Sequence, residues 1–263
     1  MPQGTSKPRQ LAPAAALLAS AALVLSACGG PALEPASLAP QQAEQPKSKG
    51  DSELSRLAAA SKASPSDTAA ALAYAKALRA KGAKAEALAA LEAPAQAKPA
   101  DRRLALERGL LTLELGDAAK AEPLLRSALD PKSPDWRVHS ALGTALASRG
   151  KHAEARDQFG KALALAPNHP SILNNLALSH ALDGRAGDAE KVLRKALPVA
   201  KATPNADKVQ QNLALALALG GKYREARTAA EGTLPATKAG ENITYVQQLA
   251  EARTAAPKDA KAE

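Results

Sequence analysis

Small and apolar residues recur along this chain with a period of about 34 residues. Five glycines keep this period, an alanine stands five positions after each, and a mostly large apolar residue stands four positions after the alanine. The three sets are Gly82, Gly116, Gly150, Gly184 and Gly221; Ala87, Ala121, Ala155, Ala189 and Ala226; and Leu91, Leu125, Phe159, Leu193 and Ala230. No stretch alternates with the two-residue period of a strand. The pattern predicts an all-α array of helix–turn–helix repeats that bury their apolar faces against their neighbours.

Placing the glycine at position 15 divides the array into five repeats. They cover residues 68–101, 102–135, 136–169, 170–203 and 207–240. The last repeat is displaced by three residues, which the loop around Pro204 contains. In each repeat, the glycine can end the first helix in a left-handed turn, and the alanine allows the second helix to approach the first closely. Because aromatic residues make up only 2% of the chain, we expect a core of alanine and leucine.

Both ends of the array are predicted to carry capping helices. Residues 51–62 predict a short helix with Asp51 or Ser52 as its N-cap. Residues 241–255 predict a helix that covers the last repeat. Its apolar residues at helical spacing are Ile243, Val246, Leu249 and Ala250. We therefore expect a repeat domain over residues 51–256 and a frayed tail over residues 257–263.

The third repeat has the most complete set of signature residues. These are Leu142-Gly143, Gly150, Ala155, Phe159, Ala162 and Pro167. In this spacing the segment resembles the tetratricopeptide repeat, and the fourth repeat matches with Leu176-Ala177 and Ala196 at the equivalent positions. The resemblance implies a superhelix of about five helix pairs closed by the C-terminal helix. It also implies that the first helices line a concave face that binds other proteins.

The first residues of the chain predict export. Lys7 and Arg9 form a basic start, and residues 11–27 contain no charge. A basic start, an apolar stretch and small residues before a cleavage site are typical of a secretory signal peptide. The apolar stretch is shorter than the roughly 20 residues of a membrane span, and Pro13 interrupts it.

The tetrad Leu25-Ser26-Ala27-Cys28 resembles the lipobox of bacterial lipoproteins. This resemblance implies removal of residues 1–27 and acylation of the thiol and the new amino group of Cys28. Because Gly29 follows rather than aspartate, resemblance to Gram-negative lipoproteins implies an outer-membrane location facing the periplasm. The alternative is an ordinary secreted protein with a cysteine near the cut. Cys28 is the only cysteine of the 263 residues, which favours the lipobox.

Residues 28–50 are rich in proline, glutamine, serine and alanine and show no apolar periodicity. Such a composition predicts a flexible tether between the acylated cysteine and the repeats. Removal of Lys7 and Arg9 with the signal would lower the formal net charge from +9 to +7. This excess favours solubility and a weak attraction to anionic surfaces, and it is not a nucleic-acid signature. We expect membrane attachment through the lipid and no nucleic-acid partner.

No catalytic or metal-binding motif stands out. The four histidines are dispersed without a paired ligand spacing: His139, His152, His169 and His180. Gly220-Gly221-Lys222 lacks the upstream glycine of a phosphate-binding loop and follows a predicted helix. We expect a protein that is not an enzyme and that holds no metal or other cofactor.

The face of the first helices is the candidate binding surface. In the family that the repeats resemble, positions 2, 5, 6, 9, 12 and 13 point into the groove, which gives as candidate partner contacts Arg137, Asn174, Asn175, Lys208, Gln211 and Asn212. Asn175 and Asn212 share position 6, where an amide can hydrogen-bond the backbone of an extended peptide. The alternative is that all six are solvated helix residues. Leu178, Leu215 and Leu219 would add an apolar floor or belong to the core.

A more specific resemblance lies in residues 205–249. It is carried by Asn205 to Leu217 (NADKVQQNLALAL), Gly221 to Ala226 (GKYREA), Leu234-Pro235 and Glu241 to Tyr245 (ENITY). These segments are similar to the closing repeat and tail of the TadD family, the tetratricopeptide repeat lipoproteins of the tight adherence (Flp) pilus assembly system. The resemblance implies an envelope accessory factor for a type IV-like pilus or secretion machine, with the secretin or other pilus assembly components as partners. It would help the secretin assemble or localise.

Two readings remain open besides the pilus adaptor. One is a general envelope scaffold lipoprotein for outer-membrane protein assembly or cell-wall complexes, which the repeats alone do not distinguish from it. The other is an enzyme with a site embedded in the array, which would require one of the dispersed histidines, such as His139 or His180, to act in catalysis.

Overall fold

The computed structural model describes residues 49–255, and within this range the chain forms helices and no strands. Thirteen helices follow one another in the described residues: α1 (Lys49–Ala63), α2 (Thr68–Ala80), α3 (Lys84–Ala89), α4 (Glu92–Ala97), α5 (Arg102–Glu114), α6 (Ala118–Ser127), α7 (Trp136–Ser148), α8 (His152–Leu165), α9 (Pro170–Leu182), α10 (Ala186–Ala200), α11 (Ala206–Leu219), α12 (Tyr223–Glu231) and α13 (Ala236–Ala255). The predicted all-α fold is confirmed.

The helices form five consecutive pairs. The first helices of the pairs are α2, α5, α7, α9 and α11, and each packs on the second helix of its own repeat and on the first helix of the next. The second helices are α6, α8, α10 and α12, with α3 and α4 together in the first repeat. Because contacts run only between neighbouring helices, the array is stabilised by stacking of successive repeats.

The glycine at position 15 has the predicted conformation in all five repeats, with φ between 74° and 89°. At Gly150 the backbone N–H of Lys151 donates to the Leu146 carbonyl (2.9 Å), and that of Gly150 donates to Ala147 (3.0 Å). These two bonds satisfy carbonyls that the end of a helix would otherwise leave unpaired. Glycine is needed there because other residues adopt a positive φ only at a cost in energy.

In the first four repeats the core combines a small residue on the first helix with a large one on the second. Phe159 is fully buried, and a Cβ atom added at Gly143 would lie 2.7 Å from its Cε1 atom. The equivalent pair one repeat earlier is Gly109 and Leu125, where an added Cβ would again lie 2.7 Å from the side chain. The alanine at position 20 is completely buried in all five repeats. The expected close approach of the two helices is therefore present.

An ionic cluster joins the second and third repeats. The buried Glu122 accepts hydrogen bonds from Arg126 of its own helix (2.7 Å) and from Arg149 and Lys151 (3.3 Å for Lys151) of the next repeat. The hydrogen bond from Arg126, helped by those from Lys151 and Arg149, lowers the pKa of Glu122 from 4.5 to about 2 against the opposing effect of burial. At the same repeat position, Glu190 binds Arg194 and Lys222.

The helix boundaries differ from prediction at both ends. Helix α1 begins at Lys49, so Asp51 and Ser52 lie inside its first turn and neither is the N-cap. Helix α13 begins at Ala236 and takes residues 236–240 from the predicted fifth repeat, because α12 ends after only nine residues, with Gly232 as its C-cap. The side chains of Leu249 and Ala250 and the predicted tail lie outside the described residues.

The second helix of the first repeat is also divided in two, which the period did not predict. Helix α3 ends at Ala89 and α4 begins at Glu92. Pro94 follows in α4 and has no N–H to donate to the carbonyl of residue 90, so a continuous helix would leave that carbonyl unpaired.

Candidate partner-binding face

The six predicted contact residues all lie on first helices, but they differ in exposure. Arg137 lies in the first turn of α7, Lys208 in the first turn of α11, and both are exposed, as is Gln211. Asn175 and Asn212 are half-buried. Asn174 is only 4% exposed, so its side chain belongs largely to the interior.

The three asparagines form a chain of hydrogen bonds across α7, α9 and α11, which we call the amide ladder. The Asn212 Nδ2 atom donates to Asn174 Oδ1 (2.7 Å), and the Asn174 Nδ2 atom lies 3.4 Å from Asn175 Oδ1. The Asn175 Nδ2 atom in turn donates to the Thr144 hydroxyl (3.3 Å). The amides therefore connect three successive repeats, which their spacing in the sequence did not reveal.

Arg137 is bound to the residue that caps its own helix. Asp135 accepts from the Arg137 backbone N–H and from the guanidinium, both at 2.9 Å. The guanidinium hydrogen bond, supported by the backbone one, lowers the pKa of Asp135. Asp101 caps α5 and binds Arg103 in the same way one repeat earlier. Both arginines therefore have a structural role in addition to their place on the face.

The face of the first helices is strongly charged at its N-terminal end. A cavity of about 830 Å³ lies against α2, α5 and α7, and its charged lining residues are Lys76, Arg102, Arg103, Glu107, Asp130, Asp135 and Arg137. Most of these charges are paired with one another or with a neighbour, as in Arg102 with Asp130 at 2.7 Å and Glu107 with Arg79 at 3.2 Å.

Further along the array, two recesses of the face have no charged lining residue. A recess of about 130 Å³ between α7 and α9 is lined by Thr144, Ala147, Ser148, Phe159, Asn175, Leu178, Ser179 and Leu182. A second recess of about 400 Å³ lies between α11 and α13 and is lined by Gln211, Ala214, Leu215, Ala230, Leu234, Asn242, Ile243, Tyr245 and Val246. We call these two linings, together with Leu219, the uncharged face.

Large apolar side chains on the uncharged face are open to solvent. Leu182 is 59% exposed, Leu219 45% and Tyr245 63%. Leu178 and Leu215 are half-buried, so they provide the predicted apolar floor without being plain core residues. Leu182 was not singled out from the sequence, although it holds the same position 13 as Leu219.

The histidines are packed at separate places. The Nδ1 atom of His139 lies 2.8 Å from the Gln158 amide oxygen, and the His169 ring lies against Trp136 with a centroid distance of 4.5 Å. Burial lowers the pKa of His180. Within residues 49–255, no group of three or more histidine, cysteine or acidic residues is arranged to hold a metal ion.

The N-terminal predictions lie outside the described residues. These are the signal peptide, the acylation of Cys28 and the tether, except for residues 49 and 50 of the tether, which are helical and belong to α1. Among the helices that the structure does describe, none combines the length and the apolar character that a membrane crossing requires.

Comparison with known proteins places two segments in a recognised repeat class. Models of the tetratricopeptide repeat match residues 136–169 and 171–203. No curated protein sequence matches the chain significantly.

Several solved structures share the fold at low sequence identity. PilW, a widely conserved type IV pilus biogenesis factor, is 20% identical with a TM-score of 0.63 over 74% of this chain and 90% of its own. MamA is 20% identical with a TM-score of 0.52 over 64% of this chain and 90% of its own. A tetratricopeptide repeat protein from Parabacteroides merdae is 16% identical with a TM-score of 0.56 over 77% and 78% of the two chains.

Proposed function

We propose that this all-helical tetratricopeptide repeat superhelix is a protein-binding adaptor of the cell envelope that acts in the assembly of a Flp/Tad type IV-like pilus. The observation that carries the proposal is the uncharged face, where leucines of two successive first helices are open to solvent. Exposed apolar side chains that cluster around a recess mark a site of interaction, because isolated apolar residues are common on protein surfaces but clusters are not.

The array is well suited to a binding role in which the protein itself stays rigid. Each first helix is held by its own second helix and by neighbouring helices, so the backbone of the face is already ordered. Little backbone conformational entropy is then lost on binding, which favours affinity.

The pilus assignment rests on two resemblances. Residues 205–249 are similar to the closing repeat and tail of the TadD family, and those residues form α11, α12 and most of α13. PilW, whose chain is 90% covered by the structural match, is described as a type IV pilus biogenesis factor. Both support a partner among the components of a pilus machine, and we propose the secretin or a protein that assembles with it.

We further propose that the adaptor is a lipoprotein anchored through Cys28 to the outer membrane and facing the periplasm. The lipobox-like tetrad and Gly29 support this location. Several acyl chains at one cysteine would give a stable anchor, since each buried methylene contributes about 0.8 kcal/mol.

The test is a pull-down from native envelopes with the tagged full-length precursor, after mild crosslinking and with mass-spectrometric identification. The matched control is Cys28→Ala, which keeps the repeats and removes the acylated thiol. We expect the wild type to enrich the secretin or pilus assembly proteins and the variant to enrich them less. Recovery of only barrel-assembly or cell-wall proteins would contradict the pilus role and favour the general envelope scaffold.

A further inference from the structure

We propose that the uncharged face binds an α-helix of a partner protein, through a stripe of uncharged apolar residues on that helix. This proposal rests on the proposed role as a protein-binding adaptor and specifies its partner. Three features of the face lead to it: the state of its amides, its lack of charge and the arrangement of its leucines.

The amide ladder disfavours an extended peptide as the occupant. An extended segment needs hydrogen bonds from the surface to its main-chain carbonyls and N–H groups. One amide N–H of Asn175 and one of Asn212 already donate to Thr144 and Asn174, so the ladder leaves a single unused N–H on each side chain. These two half-buried N–H groups match few of the main-chain groups that an extended chain presents. A helix satisfies its own main-chain groups and makes no such demand.

The lining determines the charge of the contacting stripe. The two recesses of the uncharged face contain hydroxyl, amide and apolar side chains and no acidic or basic residue. A charged side chain inserted there would lose hydration without meeting an opposite charge, which is costly. The cavity at the N-terminal end of the array has seven charged lining residues by contrast. An uncharged partner surface therefore matches the C-terminal repeats and not the N-terminal ones.

The leucines present a surface with the dimensions of a helix contact. Leu178 and Leu182 are four residues apart on α9, and Leu215 and Leu219 are four residues apart on α11. Such pairs are separated by roughly 6 Å along a helix, and packed helices lie about 8–10 Å apart. A helix laid on these ridges would contact them through residues at i, i+3, i+4 and i+7.

Site-specific photo-crosslinking in intact envelopes tests this arrangement. A benzophenone amino acid would replace Leu182 or Leu219 in the tagged full chain, with Lys195, exposed on the second helix α10, as the control position. We expect one partner protein to be crosslinked at both leucine positions and not at Lys195. Its crosslinked residues should be uncharged and spaced three, four or seven apart. Adjacent or alternate residues would indicate an extended segment, and crosslinks to a second copy of this chain would indicate self-association; either result overturns the proposal.

A charge substitution gives an independent measure. The double variant Leu182→Glu with Leu219→Glu should reduce recovery of the partner about tenfold, since each new carboxylate would lose hydration against an apolar stripe without meeting an opposite charge. Lys195→Glu, which also adds negative charge, should leave recovery unchanged. Circular dichroism checks that all variants stay folded. If the wild type enriches pilus proteins and the double variant recovers them equally well, the helix site is refuted and the pilus role stands. A wild type that recovers a non-pilus partner through crosslinks of helical spacing would refute the pilus role alone.

Discussion

Replacing Gly143 by alanine should destabilise the array, although the same change in an exposed helix normally stabilises it. Alanine is about 1 kcal/mol more favourable than glycine inside a helix. At Gly143, however, the new Cβ would lie 2.7, 2.8 and 3.0 Å from three ring atoms of Phe159. Ordinary carbon–carbon contacts lie at about 3.5–4.0 Å, so the ring must move by close to 1 Å. Phe159 has no exposed surface.

Overpacking of this kind costs about 1–3 kcal/mol. At the middle of this range the cost exceeds the gain of about 1 kcal/mol in helix propensity. Gly160 provides the matched control, because it lies exposed in α8 and an added Cβ would meet nothing within 4 Å. Gly160→Ala should therefore stabilise by about 1 kcal/mol, and the two variants should differ by about 2 kcal/mol. That difference corresponds to roughly 4–8 °C in Tm for a domain of this size.

The assay is urea and thermal unfolding followed by far-ultraviolet circular dichroism. A rescue variant, Gly143→Ala with Phe159→Leu, reproduces the alanine and leucine that face each other as Ala177 and Leu193 in the fourth repeat, and it should recover much of the loss. If Gly143→Ala proved as stable as Gly160→Ala, the small residue at position 8 would not be required by the large one at position 24, and this account of the core would be wrong.

Three further changes test other parts of the structure. Because the pKa of Glu122 is lowered from 4.5 to about 2, its contribution to stability is complete above pH 4.5 and is lost as the pH falls towards 2. We expect the wild type to lose about 1–2 kcal/mol of unfolding free energy over this range, after solvent screening of the basic partners. Glu122→Gln should lack this loss, and a variant with the pH profile of the wild type would contradict the prediction. Gly150→Ala should cost about 1–2 kcal/mol at its φ of 74°, and Gly150→Asn less; equal thermal stabilities of the two variants would show that the turn does not require a left-handed residue. Asn174→Ala should lower the free energy of unfolding measured in urea by about 1–3 kcal/mol, because Asn212 loses its acceptor. Lys208→Ala should leave it unchanged. An unchanged value for Asn174→Ala would mean that the amide ladder adds nothing to stability.

The fold was predictable because its main contacts repeat with the sequence. Ala155 and Phe159 occupy the same positions as Ala121 and Leu125, and each needs the same small neighbour on the first helix of its own repeat. A period in the sequence therefore reports directly on burial. The left-handed conformation of Gly150 was predictable for the same reason, since one residue type fits that turn at little cost.

Features that depend on a single repeat, or on contacts between repeats, could not be predicted from the period of the sequence. The early start of α13 follows the end of α12 at Gly232, whose repeat position holds no glycine in the other second helices. The hydrogen bond between Asn212 and Asn174 joins residues 38 apart and pairs position 6 of one repeat with position 5 of the one before. Sequence spacing identified both asparagines as polar residues of the face, but it did not show that they would bind each other.

The ionic contacts between each second helix and the turn of the following repeat also restrict how this array could change in evolution. At position 21, Glu122 and Glu190 bind basic residues of the following repeat, whereas Arg156 binds Asp183 (2.7 Å). Deleting the fourth repeat would remove Asp183 and place Gly220 at its repeat position, so the guanidinium of Arg156 would lose its carboxylate partner. Repeats that look interchangeable by their glycines and alanines thus differ in the sign of their junctions, and unequal recombination that removes one would produce a less stable array. The charges at the junctions between repeats therefore favour one order of the repeats, whereas the glycines and alanines determine the packing within each repeat.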